Sequence, residues 1–150
     1  MSMRFIGDYE AKADAKGRVF LPAAFRKQLE KADEQRLILR PDLFQPCLVL
    51  YPESLWNEML DALRERLSAW NGEHRAVMRQ FVADAEVVEL DGSGRLLLTK
   101  RKMAYAGIRQ DVRFLAVDDH IEVWDRAACE SQLAAGEAEL GERLQALMDV

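Results

Sequence analysis

Apolar and polar positions along the chain change period several times, and the changes mark elements. The apolar-rich stretches Phe5–Lys12 and Arg18–Leu21 flank Asp14-Ala-Lys-Gly17 and predict two strands joined by a tight turn. In such a turn Asp supplies an Asx-type hydrogen bond and Gly the positive φ. The same order returns later as Glu86–Leu90, the turn Asp91-Gly-Ser-Gly94, and Arg95–Leu98. Leu37–Arg40 with Leu48–Tyr51, and Val112–Val117 with Ile121–Trp124, predict two further strand pairs. Pro22 stops the strand before it and opens a short helix with Phe25 and Leu29 four apart, while Thr99 starts its later counterpart as an N-cap hydroxyl. Residues 53–70 carry the strongest helical period, through Leu55, Trp56, Met59, Leu60, Leu63, Leu67 and Trp70. Asn71-Gly72 breaks it, and a shorter helix runs through Val77, Met78, Phe81 and Val82. Leu133, Leu140, Leu144 and Leu147 form one stripe of an acidic amphipathic tail helix, weakened by Gly136 and Gly141. That stripe has two places to dock, its own domain or a neighbouring subunit.

These elements repeat. Asp14-Ala-Lys-Gly-Arg-Val-Phe-Leu-Pro22 aligns with Asp91-Gly-Ser-Gly-Arg-Leu-Leu-Leu-Thr99, an offset of 77, and Leu48-Val-Leu-Tyr-Pro-Glu-Ser-Leu55 with Ile121-Glu-Val-Trp-Asp-Arg-Ala-Ala128, an offset of 73. A module of roughly 75 residues is small for an independent fold, so the two copies are expected to share one core. The predicted organisation is a first repeat over 5–53, a helical connector over 54–80, a second repeat over 81–127 and an acidic C-terminal helix over 128–150.

Composition adds exclusions. With 150 residues, 49% of them apolar, and only eight Gly and four Pro, disorder and low-complexity classes fall away. The N-terminal stretch Met1-Ser-Met-Arg-Phe-Ile-Gly reaches Asp8 before an apolar h-region forms, so no secretory signal is expected, and no apolar run is long enough for a membrane span. Cys47 and Cys129 are too few for a disulfide framework and read as small core hydrophobes. His74 and His120 lie at ligand spacing neither from each other nor from a cysteine, and no Gly-rich loop has phosphate-binding spacing. No enzyme, metal or cofactor is expected.

The net charge of −5 disfavours a nucleic-acid partner until its distribution is read. Residues 118–150 hold nine acids against Arg126 and Arg143, a net of −7, so the first 117 carry +2. Within them Lys12, Lys16, Arg18, Arg26 and Lys27 oppose only Asp14, and Arg95, Lys100, Arg101 and Lys102 oppose only Asp91. A basic cluster is usually a solvated face, and Asp14–Arg18 and Asp91–Arg95 can each be an ion pair that merely holds its turn. Duplication changes the weighting: Lys16, Arg18, Arg95 and Lys100 on one face would match a phosphate backbone, and Arg can also hold a guanine edge bidentately.

Asp-x-Lys-Gly-Arg followed by an apolar run and Pro, repeated as Asp-x-x-Gly-Arg-Leu-Leu-Leu, resembles the MraZ family, whose halves are related to the SpoVT-AbrB DNA-binding domain. The likeness takes in Phe5-Ile-Gly7, Leu48-Val-Leu-Tyr-Pro52, Tyr105-Ala-Gly-Ile108 and Ile121-Glu-Val-Trp124. It implies an α+β fold in which duplicated SpoVT-AbrB-like halves form a double-split β-barrel with flanking helices. It further implies a cytoplasmic, nucleoid-associated bacterial transcription regulator without membrane attachment. Such a regulator binds double-stranded DNA at repeated promoter boxes of the division and cell-wall gene cluster, including its own promoter, and assembles into a ring-shaped homo-oligomer. The family's Asp-x-x-x-Arg motifs fall on Asp14 and Arg18 and on Asp91 and Arg95, with Lys16 matching in the first copy alone, where Ser93 stands in the second. Thr99 departs from the family's usual Pro, and Lys100-Arg-Lys102 is unusually basic. The alternatives are an AbrB- or antitoxin-like dimeric regulator, and a protein-interaction scaffold built on the Trp56 helix or the acidic tail.

Overall fold

A computed structural model describes residues 3–149; Met1 and Ser2 of the N-terminal stretch, and Val150 of the tail, lie outside the described residues. The elements in chain order are β1 (Asp8–Lys12), β2 (Arg18–Phe20), α1 (Ala23–Lys31), β3 (Leu37–Pro41), β4 (Leu48–Pro52), α2 (Glu53–Arg66), α3 (Gly72–Ala83), β5 (Glu86–Val88), β6 (Arg95–Leu97), α4 (Lys100–Ala106), β7 (Asp111–Val117), β8 (His120–Asp125), α5 (Arg126–Glu137) and α6 (Leu140–Met148). Six strands form an antiparallel sheet in the order β1-β7-β8-β4-β3-β5, and β2 pairs with β6 in a separate two-stranded ribbon. This is an α+β fold built from two repeats, and its larger sheet is open: β1 and β5 end it without pairing to each other.

The expected strand pairs β3–β4 and β7–β8 form. The strands flanking each turn do not pair with one another. β1 joins β7 and β2 joins β6 instead, so both partners come from the other repeat. A strand can turn its apolar side chains into a core only where a second layer meets it, and the exchange builds one core from both repeats.

The exchange is close to two-fold symmetric. Arg18 lies opposite Leu97, Val19 opposite Leu96 and Phe20 opposite Arg95, so the 77-residue offset exchanges the two outer pairs and maps the central pair onto itself. Leu48 opposite Val123 and Leu50 opposite Ile121 obey the 73-residue offset in the same way. Val19 and Leu96, at the centre of the ribbon, are fully buried and join Leu21, Phe25, Leu39, Leu50, Leu98, Phe114 and Val123 in one core shared by both repeats. Interior packing of this kind dominates the stability of a domain this size.

Two helical boundaries differ from the sequence period. α2 ends at Arg66, where Leu67 turns extended, and Asn71 caps the next helix, its side chain accepting from the backbone N–H of Glu73 and His74. The cap residue itself is non-helical, and Trp70 just before it stands 98% exposed. The acidic tail is two helices rather than one, and Leu133, Leu140, Leu144 and Leu147 remain exposed instead of packing on their own domain. Cys47 and Cys129 are both buried, in a small cluster with Trp124, and burial pushes both thiols above their ordinary range.

Candidate nucleic-acid interface

The two Asp–Arg turns adopt one geometry. Asp14 Oδ1 accepts from the backbone N–H of Lys16 and of Arg18, each at 2.9 Å, and Oδ2 accepts from Arg18 Nε at 2.7 Å. Asp91 repeats this with Ser93 N–H at 2.9 Å, Arg95 N–H at 3.0 Å and Arg95 Nε at 2.9 Å. Gly17 and Gly94 both sit at φ 87°, where any other residue is strained. In both turns the backbone N–H groups and the arginine together hold the carboxyl below the usual aspartate value, the hydrogen bond from the Arg18 or Arg95 amide being the largest cause. Each Arg spends Nε on the carboxylate, which fixes the plane of the guanidinium. Its Nη amino groups remain as donors in the fork geometry that suits phosphate or a base edge. The ion pair and an outward-facing arginine are therefore compatible.

Strand pairing decides where the arginines point. Side chains alternate along a strand, and Val19 and Leu96 point inward, so Arg18, Phe20, Arg95 and Leu97 share the outer face of the ribbon. Phe20 is 53% and Leu97 51% exposed, and the Arg95 guanidinium lies over the Phe20 ring at 5.8 Å. Arg18 and Arg95 sit two ladder positions apart, about 7 Å along the ribbon. Lys16 is exposed at the tip of the first turn. Lys100 is exposed at the first position of α4, two residues beyond Leu98, whose N–H bonds the Gly17 carbonyl at 2.8 Å. The Thr99 hydroxyl caps this helix, as expected, by accepting from the Lys102 N–H. The rest of the basic run turns elsewhere: Arg101 pairs with Asp84, and Lys102 is buried with its Nζ 3.4 Å from Glu86.

One cation escaped the candidate set. Arg26, on α1 of the first repeat, lies against Gly94 of the second turn, close enough that a methyl group there would strike its guanidinium. The 77-residue offset pairs Arg26 with Met103, whose Sδ stands behind Gly17 at 3.4 Å from the position of such a methyl. The second turn, which has Ser93 in place of Lys16, thus gains a cation from the other repeat. Arg26 was visible in the first basic island, but only the exchange of strands brings it to the second turn.

Among the described residues no helix is long and apolar enough to cross a membrane, and no three His, Cys, Asp or Glu side chains gather as a metal-binding group.

What these features define is a duplicated α+β protein carrying one Asp–Arg turn per repeat at the ends of a shared ribbon. A family model described as "MraZ protein, putative antitoxin-like" matches residues 4–80 and again 81–149, and the chain belongs to this family. Relatives named transcriptional regulator MraZ include one from Bacteroides fragilis, 56% identical over 128 residues (85% of this chain and 81% of that protein), and one from Phocaeicola vulgatus, 52% identical over 146 residues (97% and 94%). A more distant one, from Treponema pallidum, is 33% identical over 146 residues, 97% of this chain and 95% of that protein.

Proposed function

We propose that this chain is a sequence-specific DNA-binding transcription regulator that acts on the bacterial division and cell-wall gene cluster, including its own promoter. The observation that carries the reading is the pair of superimposable Asp–Arg turns at the two ends of one ribbon, with Arg18 and Arg95 on its outer face. The major groove admits a two-stranded β-ribbon, and Arg is the residue that most often reads guanine there. The names of the relatives agree with this role.

Lys16, Arg18, Arg95 and Lys100 contact DNA, while Asp14 and Asp91 aim the arginines rather than touch the ligand. In this reading the halves, 5–53 and 81–127, are SpoVT-AbrB-like units of a double-split barrel, with 54–80 as connector and 128–150 as an acidic segment held away from the DNA. The protein works in the cytoplasm on the nucleoid. A ring of copies aligns successive Arg18 turns with repeated promoter boxes, so affinity comes from multiplicity rather than from one tight site. The antitoxin-like description of the family favours one second reading, a dimeric regulator, which sedimentation separates from a ring by mass.

The test is a mobility-shift titration against the DNA upstream of the gene, repeated across salt. The dissociation constant should rise linearly with salt on a log–log plot, and Arg18→Ala should weaken binding by tenfold or more. An Arg18→Ala protein that stays folded and assembled yet binds as tightly as the parent overturns the assignment.

A further inference from the structure

The open sheet carries two arginines on the face turned away from the shared core, one in each repeat, and they are treated differently. Arg113 on β7 is mostly buried and bonded, its Nε 2.7 Å from Asp8 Oδ1 with Glu130 nearby. Arg40 on β3 is more deeply buried, at 4% exposure, and its Nε has no hydrogen-bond partner. Among the described residues no carboxylate lies within ion-pair distance of it. The Phe81 ring lies 5.0 Å from the guanidinium, with Trp56 stacked on that ring at 5.1 Å. Arginine cannot shed its proton to escape this situation, and a buried charge with no counter-ion is costly.

Arg40 lines a groove of about 820 Å³ between α3, α4 and the β3–β4 connection, walled mainly by apolar side chains such as Val77 and Phe81. That volume falls within the range of small-molecule sites. Most other charged or polar groups there are occupied: Arg101 by Asp84, Lys102 by Glu86, Asp42 by the N–H groups of Phe44 and Gln45, and Tyr105 by donating to the Asp42 carbonyl. Glu73 stands exposed among the lining residues. With Arg101 and Lys102 already paired, Arg40 offers one uncompensated positive charge, which matches a monoanion, while the apolar walls favour a hydrocarbon body.

We infer that this groove binds a small amphipathic monocarboxylate, its carboxylate on the Arg40 guanidinium and its apolar stem along Val77 and Phe81. The site is separate from the outer face of the ribbon, though α4 touches both, with Lys100 at its first position and Arg101, Lys102 and Tyr105 in the groove lining.

4-Phenylbutyrate and its uncharged analogue 4-phenylbutanol are the probes, titrated into the full-length protein and followed by proton–nitrogen NMR including the arginine Nε resonances. The acid should bind at least tenfold more tightly than the alcohol and move the Arg40 Nε signal. Arg40→Met should remove that preference and leave the alcohol unchanged. Val77→Trp, at an exposed helix position, should block both probes with Arg40 intact, which keeps the test open if Arg40→Met does not fold. Equal binding of acid and alcohol, or acid binding that persists in Arg40→Met, overturns the inference. So does absence of acid binding, and if Arg40→Met then also sediments as a smaller assembly, the missing carboxylate belongs to another copy of the chain.

Discussion

Behind Gly17 stands main chain: the Leu98 carbonyl lies where a methyl group would go, with Met103 beside it. Behind Gly94 the nearest atoms belong to the flexible side chain of Arg26. The turns in front are the same to within 0.2 Å in their Asp–Arg hydrogen bonds, so the local motif is indifferent to its backing while the chemistry around it is not. The first turn owns its second cation, Lys16, as part of the loop. The second borrows Arg26 from a helix of the other repeat. Duplicated segments can therefore keep one geometry and still divide the work of holding charge differently, because strand exchange brings each turn against the other copy's side chains.

The sharpest way to separate the two turns is to add one methyl to each. Both glycines have positive φ, so Gly94→Ala should cost about 1–2 kcal/mol from backbone strain alone, with Arg26 swinging aside. Gly17→Ala adds a clash with a carbonyl that cannot move without breaking the ribbon, and should cost about 2–4 kcal/mol. Denaturant unfolding of the two variants reads the difference, and equal losses would mean that the backing does not matter.

Next in size is the borrowed cation. Arg26→Ala should weaken promoter binding and lower the slope of log affinity against log salt by about one, the mark of one lost phosphate contact. Met103→Ala, at the matching position behind the first turn, should leave that slope unchanged. A salt titration of both variants decides whether Arg26 faces DNA or merely packs on the turn. Ser93→Lys would restore the missing loop cation and make the slope steeper by about one.

Acid provides the mildest comparison. Asp8, Asp14 and Asp91 all have carboxyls held below the ordinary aspartate value of 3.8, Asp8 by the Arg113 hydrogen bond and the other two chiefly by the Arg18 and Arg95 amides. A carboxyl lowered on folding contributes stability that is present above its unfolded value and is lost as pH falls through the folded one. Melting temperature should therefore hold from neutral pH to about 4 and decline below it. Asp8→Asn should remove more of that decline than Asp14→Asn or Asp91→Asn, since Arg113 is the most enclosed of the three partners. Thermal scans between pH 2 and 7 measure it.

Much of this molecule was legible as text. Asp and Gly at fixed spacing dictate an Asx turn wherever they fall, and the 77- and 73-residue offsets disclosed the duplication before any coordinate. Short apolar-rich runs marked β3, β4, β7 and β8 closely, and Thr99 announced its own cap. The 3.6-residue period overran α2, because Leu67 and Trp70 continue its apolar stripe although the backbone leaves the helix at Leu67, before the break read at Asn71. Periodicity also could not reveal that the flanks of each turn pair across repeats, since alternation states which face of a strand is apolar and not which strand lies beside it.

The chain on its own determined its local conformations, its repeat and the uneven charge that pointed to two basic turns, because backbone preference and spacing act over a few residues. Tertiary structure decided the partners: β2 with β6, Arg26 behind Gly94, Lys102 buried on Glu86, Arg113 with Asp8 and Arg40 without a carboxylate. Those meetings join residues 16 to 105 positions apart or leave one charge stranded. They follow from closing one core shared by two modules that are each small for an independent fold.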